Sequence, residues 1–241
     1  EFILGKPNTK NAPYVIECLN KAVDLAHKEK ISLVTGPINK KVIANTISGF
    51  SGHTEFLKEK FGCEDVLMLL ANNSLKVGVA TTHIALKDVP KMISKDLIIR
   101  KCKLLDKGLK DIYGLVAPKI AVLGLNPHAG EDGSFGIEEI ESINPAIAHL
   151  KKEDFDIVGP ISADTAFING GYDAYLSMYH DQALPVLKTL DFHHSVNITL
   201  GLPFHRVSVD HGTAEDIAPK FKADYTSMLE ALKLAGNGNI I

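Results

Sequence analysis

Apolar residues recur along this chain with two different periods, and the periods alternate. Over residues 11–30, Val15, Ile16, Leu19, Ala22, Val23 and Ala26 fall at helical spacing, which predicts an amphipathic helix. Residues 31–35 (ISLVT) form a short, mostly apolar run that reads as a strand. Gly36-Pro37 ends it, and Lys40 opens a short helix. Thr54 is placed to cap a helix over 55–61, with Gly62 closing it. Residues 66–71 and 76–82 are apolar runs joined by Asn72-Asn73-Ser74, the pattern of a hairpin. Val89-Pro90 starts one long amphipathic helix through residue 110. A buried strand over 119–125 runs into Asn126-Pro127-His128-Ala129-Gly130-Glu131-Asp132-Gly133, a polar loop. A helix over 137–152 follows, kinked near Pro145. Strands over 156–160, 175–179, 195–200 and 206–209 and helices over 183–190 and 225–235 complete the pass. Alternating strands and helices define an α/β protein.

Composition narrows the class. The 241 residues are 45% hydrophobic and 23% charged, ordinary for a globular chain. A formal net charge of -3 provides no global basic field for nucleic acid. Any anionic ligand must therefore be held by local cations. Cys18, Cys63 and Cys102 are widely spaced and odd in number, which suits reduced thiols in a cytoplasmic protein. No apolar run approaches the roughly 18 residues that span a bilayer. The chain opens Glu1-Phe2-Ile3 without an initiator Met, so a preceding N-terminal segment is expected.

Candidate chemistry collects at strand ends. His83, His128, Asp164 and His180 each follow closely on a predicted strand. In a sheet whose strands share a direction those ends meet at one edge, where open α/β sheets bind ligands. Three imidazoles with carboxylates are a metal-site inventory. Taken singly, each histidine is more simply a polar loop residue; their equivalent positions favour a ligand set. Lys188 lies on an apolar helix and Arg206 opens an apolar strand. Each either runs its stem out to solvent or clamps a phosphate or carboxylate. Asn197 puts an amide inside the strand SVNITL and needs partners if buried. His53-Thr54 either binds an anion at a helix N-terminus or supplies only the cap.

The segments TGPINK (35–40), GHTEFL (52–57), ATTHIALKDVP (80–90), LGLNPHAGEDGSFG (123–136), GPISADTAF (159–167), YHDQALPVLK (179–188) and VNITLGLPFHRVSVDHGTAEDIA (196–218) carry a resemblance. Together and in this order they resemble the 4-hydroxythreonine-4-phosphate dehydrogenase family, over nearly the whole chain. The family pattern has a preceding Gly-rich strand-to-helix turn that this sequence lacks. The resemblance implies an isocitrate/isopropylmalate dehydrogenase-like fold, two α/β/α domains with an active-site cleft between them. Residues 1–48 with 192–241 would form the first domain and 49–191 the second, with the metal-binding histidines.

Residue roles follow from the same resemblance. His83, His128 and His180 match the ligands of one divalent metal, with zinc, cobalt and magnesium all compatible. His53, Thr54, Lys188, Asn197 and Arg206 match substrate contacts. The HGTAEDIA turn is similar to that of isopropylmalate and isocitrate dehydrogenases, which implies a dinucleotide seat at Gly212, Thr213, Ala214 and Asp216. Asp164 and Asp181 are candidates for the proton path or for holding a metal-bound imidazole. His193, His194 and His205 receive no role. The implied reaction is NAD- or NADP-dependent oxidation of 4-phosphooxy-L-threonine, followed by decarboxylation to 3-amino-2-oxopropyl phosphate, in pyridoxal phosphate biosynthesis. The implied assembly is a cytoplasmic homodimer sharing its active site, with no membrane or nucleic-acid partner. Alternatives are a sister dehydrogenase acting on 4-phospho-D-erythronate or a dihydrodiol, and more remotely a metal-dependent phosphatase or phosphate-binding protein.

Overall fold

A computed structural model of the chain describes residues 3–237 apart from 46, 48 and 169. Glu1 and Phe2, which open the sequence without Met, lie outside the described residues. Helix α1 (Ala12–Glu29) precedes strand β1 (Leu33–Thr35) and the short helices α2 (Lys40–Ala44) and α3 (His53–Lys60). The hairpin β2 (Leu67–Ala71) and β3 (Lys76–Thr81) leads to α4 (Val89–Met92) and α5 (Lys95–Tyr113). Then come β4 (Ile120–Leu123), α6 (Asn144–Lys152), β5 (Ile157–Ile161), β6 (Ala174–Tyr179) and α7 (His180–Asp191). Strands β7 (Val196–Leu200) and β8 (Arg206–Val209) and helix α8 (Thr226–Asn237) end the described chain.

Three boundaries depart from the apolar pattern, each for a local reason. The long helix expected over 89–110 is two helices. Ile93 is extended, and the Ser94 hydroxyl accepts the Leu97 N–H at 3.3 Å, so a serine N-cap restarts the helix as α5. Helix α3 begins at His53 rather than after Thr54, with Gly52 as an N-cap that makes no side-chain bond. The Thr54 hydroxyl faces Arg206 instead. Helix α7 begins at His180, three residues earlier than the sequence pattern places it. The kink expected near Pro145 is a π-helical turn, Glu139–Ile143, that runs directly into α6.

The chain forms two compact units, Glu1–Val66 with His193–Ile241, and Leu67–Phe192. Residues 49–66 thus join the first unit rather than the second. Phe50 and Leu57 explain this, since both are buried in one core with Ala12, Ile16, Leu19, Leu33 and Phe204. In the first unit β8 lies between β1, to which it is parallel, and β7, to which it is antiparallel. Paired residues share a sheet face. Leu33, Arg206 and Thr199 therefore project together, as do Thr35, Ser208 and Asn197 two positions along.

The second unit has strand order β2-β3-β6-β4-β5. Only β2 is antiparallel to its neighbour; β3, β6, β4 and β5 run parallel. On one face Val77, Val79, Leu123 and Tyr175 pack with Ala183, Leu184 and Leu187 of α7. On the other, Gly78 leaves room for Leu105 of α5, whose buried stripe is Ile98, Cys102, Leu105, Leu109 and Ile112. The sheet is thus covered on both faces, as parallel sheets require.

Candidate active site

The parallel strands of the second unit bring their carboxyl ends to one edge. Thr81 ends β3 two residues before His83, and Tyr179 ends β6 immediately before His180. Because β3 and β6 are direct neighbours, with Thr81 opposite Tyr179, the two rings meet with centroids 6.0 Å apart. His180 Nδ1 and Asp181 Oδ1 are 2.5 Å apart. With the proton on Nδ1, that bond leaves Nε2 as the lone-pair nitrogen, the arrangement in which carboxylates orient metal-binding imidazoles. Asp164 follows β5, where the Ser162 hydroxyl donates to it at 2.6 Å. That bond holds the Asp164 carboxyl below the ordinary range; its own backbone N–H and His128 act in the same direction, and burial opposes them. His128, Asp164, Tyr179, Asp181 and Gln182 line a cavity of about 820 Å³.

These donors have the chemistry of a site for zinc, cobalt or a similar divalent ion. His83 and His180 are close enough to approach one ion together. Among the described residues, no three His, Cys, Asp or Glu side chains converge on a common centre. His128 instead lies against Phe135, with centroids 6.2 Å apart.

The loop that carries His128 is unusual. Five consecutive residues, His128 to Asp132, have positive φ between 42° and 83°. Below this left-handed turn sits Glu139, 2% exposed. Its Oε1 accepts the backbone N–H groups of Leu125 and Asn126, both at 2.7 Å, and its Oε2 accepts Asn126 Nδ2 at 2.8 Å. Gln182, two residues beyond His180, donates to the Gly124 carbonyl and accepts the Met178 N–H. Sequence reasoning missed both residues. A signal existed for Glu139, because the buried stripe of α6 (Leu150, Ile147, Ala146, Ile143) extends back onto it at helical spacing.

The first unit holds a different constellation. Arg206 is 4% exposed at the start of β8. Its Nη2 donates to Thr35 Oγ1 at 3.0 Å, and its Nη1 to Thr199 Oγ1 at 2.8 Å and more distantly to Thr54 Oγ1 at 3.4 Å. Arg206 Nε and Asn197 Oδ1 are buried without a hydrogen-bond partner. Burial lowers the Arg206 pKa to about 10, partly opposed by Glu55, so it stays a cation at neutral pH. Burial, then Arg206, then Lys40 push His53 down to about 4, so its imidazole is neutral. Lys40 was missed as a site residue. Its Nζ lies 3.3 Å from where a Cβ on Gly52 would stand, beside the uncapped N-terminus of α3. Two cations, a neutral imidazole and the first N–H groups of α3 offer charge and donors to an anion, with the Glu55 carboxylate beside them, its Oε2 3.1 Å from the same Cβ position. Lys188 belongs to the other unit, where its Nζ lies 5.7 Å from the centroid of the Phe192 ring.

The proposed dinucleotide turn follows β8. Gly212, Thr213, Ala214 and Asp216 stand there, with Ala214 at φ 48°. Hydrogen bonds from Thr213 and Asn39 hold the Glu215 carboxyl below the ordinary range. Thr213 and Glu215 line a cavity of about 270 Å³ with Lys6, Pro37, Asn39 and Val42. His193, given no role above, pairs with Asp224 at 2.9 Å.

The strand-end imidazoles, the buried arginine and the two-unit α/β fold define a protein of the isocitrate/isopropylmalate dehydrogenase-like class. A family model described as pyridoxal phosphate biosynthetic protein PdxA matches residues 2–235. A 4-hydroxythreonine-4-phosphate dehydrogenase of Yersinia enterocolitica is 48% identical over 240 residues, covering 98% of this chain and 72% of that protein. The crystal structure of the Klebsiella pneumoniae 4-hydroxythreonine-4-phosphate dehydrogenase superposes with a TM-score of 0.86 at 37% identity, covering 96% of this chain and 73% of that one. A terephthalate 1,2-cis-dihydrodiol dehydrogenase from Burkholderia xenovorans gives 0.76 at 26% identity, covering 100% of this chain and 77% of that one. The chain belongs to the PdxA family of pyridoxal phosphate biosynthesis.

Proposed function

We propose that the chain oxidises 4-phosphooxy-L-threonine to 2-amino-3-oxo-4-phosphooxybutanoate with NAD or NADP, and that the keto acid decarboxylates to 3-amino-2-oxopropyl phosphate. The observation that carries this reading is the buried, cationic Arg206 beside neutral His53 and Thr54, in a chain whose relatives bear that enzyme's name. Arg206 and Thr54 take an anionic group of the substrate, and neutral His53 adds a hydrogen bond without a second buried charge. Asn197 offers its unpaired carbonyl oxygen to the substrate amino group. Lys188 is assigned to the substrate on the family pattern alone.

His83, His128 and His180 would hold the divalent ion, with Asp181 fixing the His180 tautomer. NAD or NADP, when bound, would supply the hydride acceptor, and a divalent ion the Lewis acidity that hydroxyl oxidation and decarboxylation need. Asp164, held ionised by Ser162, accepts the hydroxyl proton. Gly212, Thr213, Ala214 and Asp216 seat the dinucleotide. Among the described residues, one chain brings His83 and His180 together but no third such ligand to the same centre. The reading therefore includes a homodimer in which a second copy completes the metal set. A cytoplasmic location accords with three free cysteines and with no described helix long and apolar enough to cross a membrane.

The test is NADH formation from 4-phosphooxy-L-threonine. Chelation of the metal, or His128→Ala, is expected to abolish it while the protein stays soluble and folded. Full activity after either treatment sinks the metal-assisted reading. A sister activity on a dihydrodiol has one observation in its favour, the likeness to the Burkholderia dihydrodiol dehydrogenase. The cations Arg206 and Lys40 favour a phosphorylated substrate, and a panel adding 4-phospho-D-erythronate and a dihydrodiol separates the three.

A further inference from the structure

Behind the cavity wall at Leu125 and Asn126 lies a buried acid to which the reaction above gives no role. Glu139 is 2% exposed, and the hydrogen bonds of its carboxyl group go to Leu125 and Asn126, ahead of His128. It accepts Leu125 N–H and Asn126 N–H with one oxygen and Asn126 Nδ2 with the other. Glu138 Oε2 takes the same Asn126 amide at 2.7 Å. Leu125 and Asn126 immediately precede Pro127-His128, so the carboxylate grips the backbone where the His128 turn begins. It also supports the turn from below. A Cβ on Gly130 would stand 2.7 Å from Glu139 Oε2, so the turn closes directly over the acid. The site is reached from a π-helical turn that starts at Glu139, a feature that often marks functional positions.

Energetics argue that this grip is needed. Left-handed backbone is costly for every non-glycine residue, because its Cβ crowds the following carbonyl oxygen. Four of the five residues from His128 to Asp132 are not glycine. Such strain persists only where the surroundings over-determine it, and it clusters where geometry serves function. Three short hydrogen bonds to one buried carboxyl group act against that strain.

We infer that Glu139 is a positioning residue for His128: its buried carboxylate holds the left-handed turn that presents this imidazole as a ligand. The inference rests on the proposed role of His128 in metal binding, and the experiment separates the two. Co²⁺ is titrated into the full chain as wild type, H128A, E139Q and E139A, following the visible absorption of the bound ion, with far-UV circular dichroism to check the fold. Wild type is expected to bind. H128A should lose affinity at least a hundredfold. Glutamine keeps the size and one acceptor oxygen but turns an N–H₂ towards Asn126 Nδ2. E139Q should therefore bind about ten- to a hundredfold more weakly with a shifted spectrum, and E139A more weakly still. Leu125 and Asn126 amide protons, which share the one oxygen that glutamine keeps, should be protected from exchange in wild type and released in E139A.

If H128A binds Co²⁺ like wild type, the metal role of His128 fails and the inference with it. If H128A loses the ion while E139Q keeps wild-type affinity and spectrum, the metal role survives and positioning by Glu139 is overturned. A lower melting temperature in E139Q with unchanged Co²⁺ binding has the same meaning, since it shows a purely structural acid. Should E139A not fold, E139Q decides.

Discussion

The arginine nest of the first unit and the imidazole edge of the second are built by opposite rules. Arg206 is 4% exposed and fixed by hydroxyls from three separate elements, Thr35 on β1, Thr199 on β7 and Thr54 on α3. Its geometry is settled by folding, and charge stays buried there because the fork is hydrogen-bonded. At the imidazole edge the donors stand in solvent. The Asp181 side chain is 80% exposed, and among the described residues His83 and His180 approach one another without a third ligand at the same centre. The first constellation is organised by its own chain, whereas on the proposed reading the second awaits a metal ion and a further donor. Binding energy is therefore stored differently: as finished geometry in one, as unspent ligand chemistry in the other.

That contrast breaks first at Arg206. Arg206→Lys keeps the charge but loses the planar fork, and kcat/KM for 4-phosphooxy-L-threonine should fall about 10²- to 10³-fold, as expected for disrupting a buried charged contact. Steady-state kinetics alongside a thermal melt would show it; a change under threefold means the nest does not bind substrate.

Next comes pH. His53 has its folded pKa near 4, below the ordinary histidine value of 6.5. The unfolded chain therefore takes up this proton first as pH falls. Stability from keeping His53 neutral is full above pH 6.5 and declines down to about pH 4, by at most ~3 kcal/mol because the group is partly solvated. Urea midpoints measured between pH 7 and 4.5 should drop more steeply for wild type than for His53→Gln. Parallel slopes would contradict the burial of this imidazole.

A smaller effect belongs to the exposed edge. Asp181→Asn should weaken metal binding about ten- to a hundredfold by loosening the His180 tautomer, with no change in melting temperature. Unaltered affinity in a calorimetric titration would remove Asp181 from the site. Smallest is Asn197→Leu, which removes a buried acceptor without a partner. It should raise stability by ~1 kcal/mol while raising KM, and a fall in stability would mean that the amide serves the fold.

Much of this was readable before any coordinates. Strand ends could be found from runs of apolar residues, so His83, Asp164 and His180 fell at an edge that the parallel pairing of β3, β6, β4 and β5 then produced. Arg206 and Asn197 were visible as polar exceptions in apolar strands. What escaped depends on partners distant in sequence. Lys40 reads as an ordinary first-turn lysine, and only folding brings it beside Gly52 and His53. The split at Ser94 was legible in principle, but the apolar period of residues 89–110 continues across it, and a hydroxyl cap outweighs that period. Glu139 hid in a helix whose charged residues otherwise face water.

The turn over Glu139 also bears on how such a chain changes over generations. A Cβ at Gly130 would run into the Glu139 carboxylate, and one at Gly136 into the Asn126 side chain. Neither glycine can be exchanged without moving the residue it touches, and each of those residues holds the backbone beside His128. A single substitution at either glycine therefore forces its neighbour to shift. Gly130 with Glu139 and Gly136 with Asn126 are thus pairs in which a change on one side calls for a change on the other.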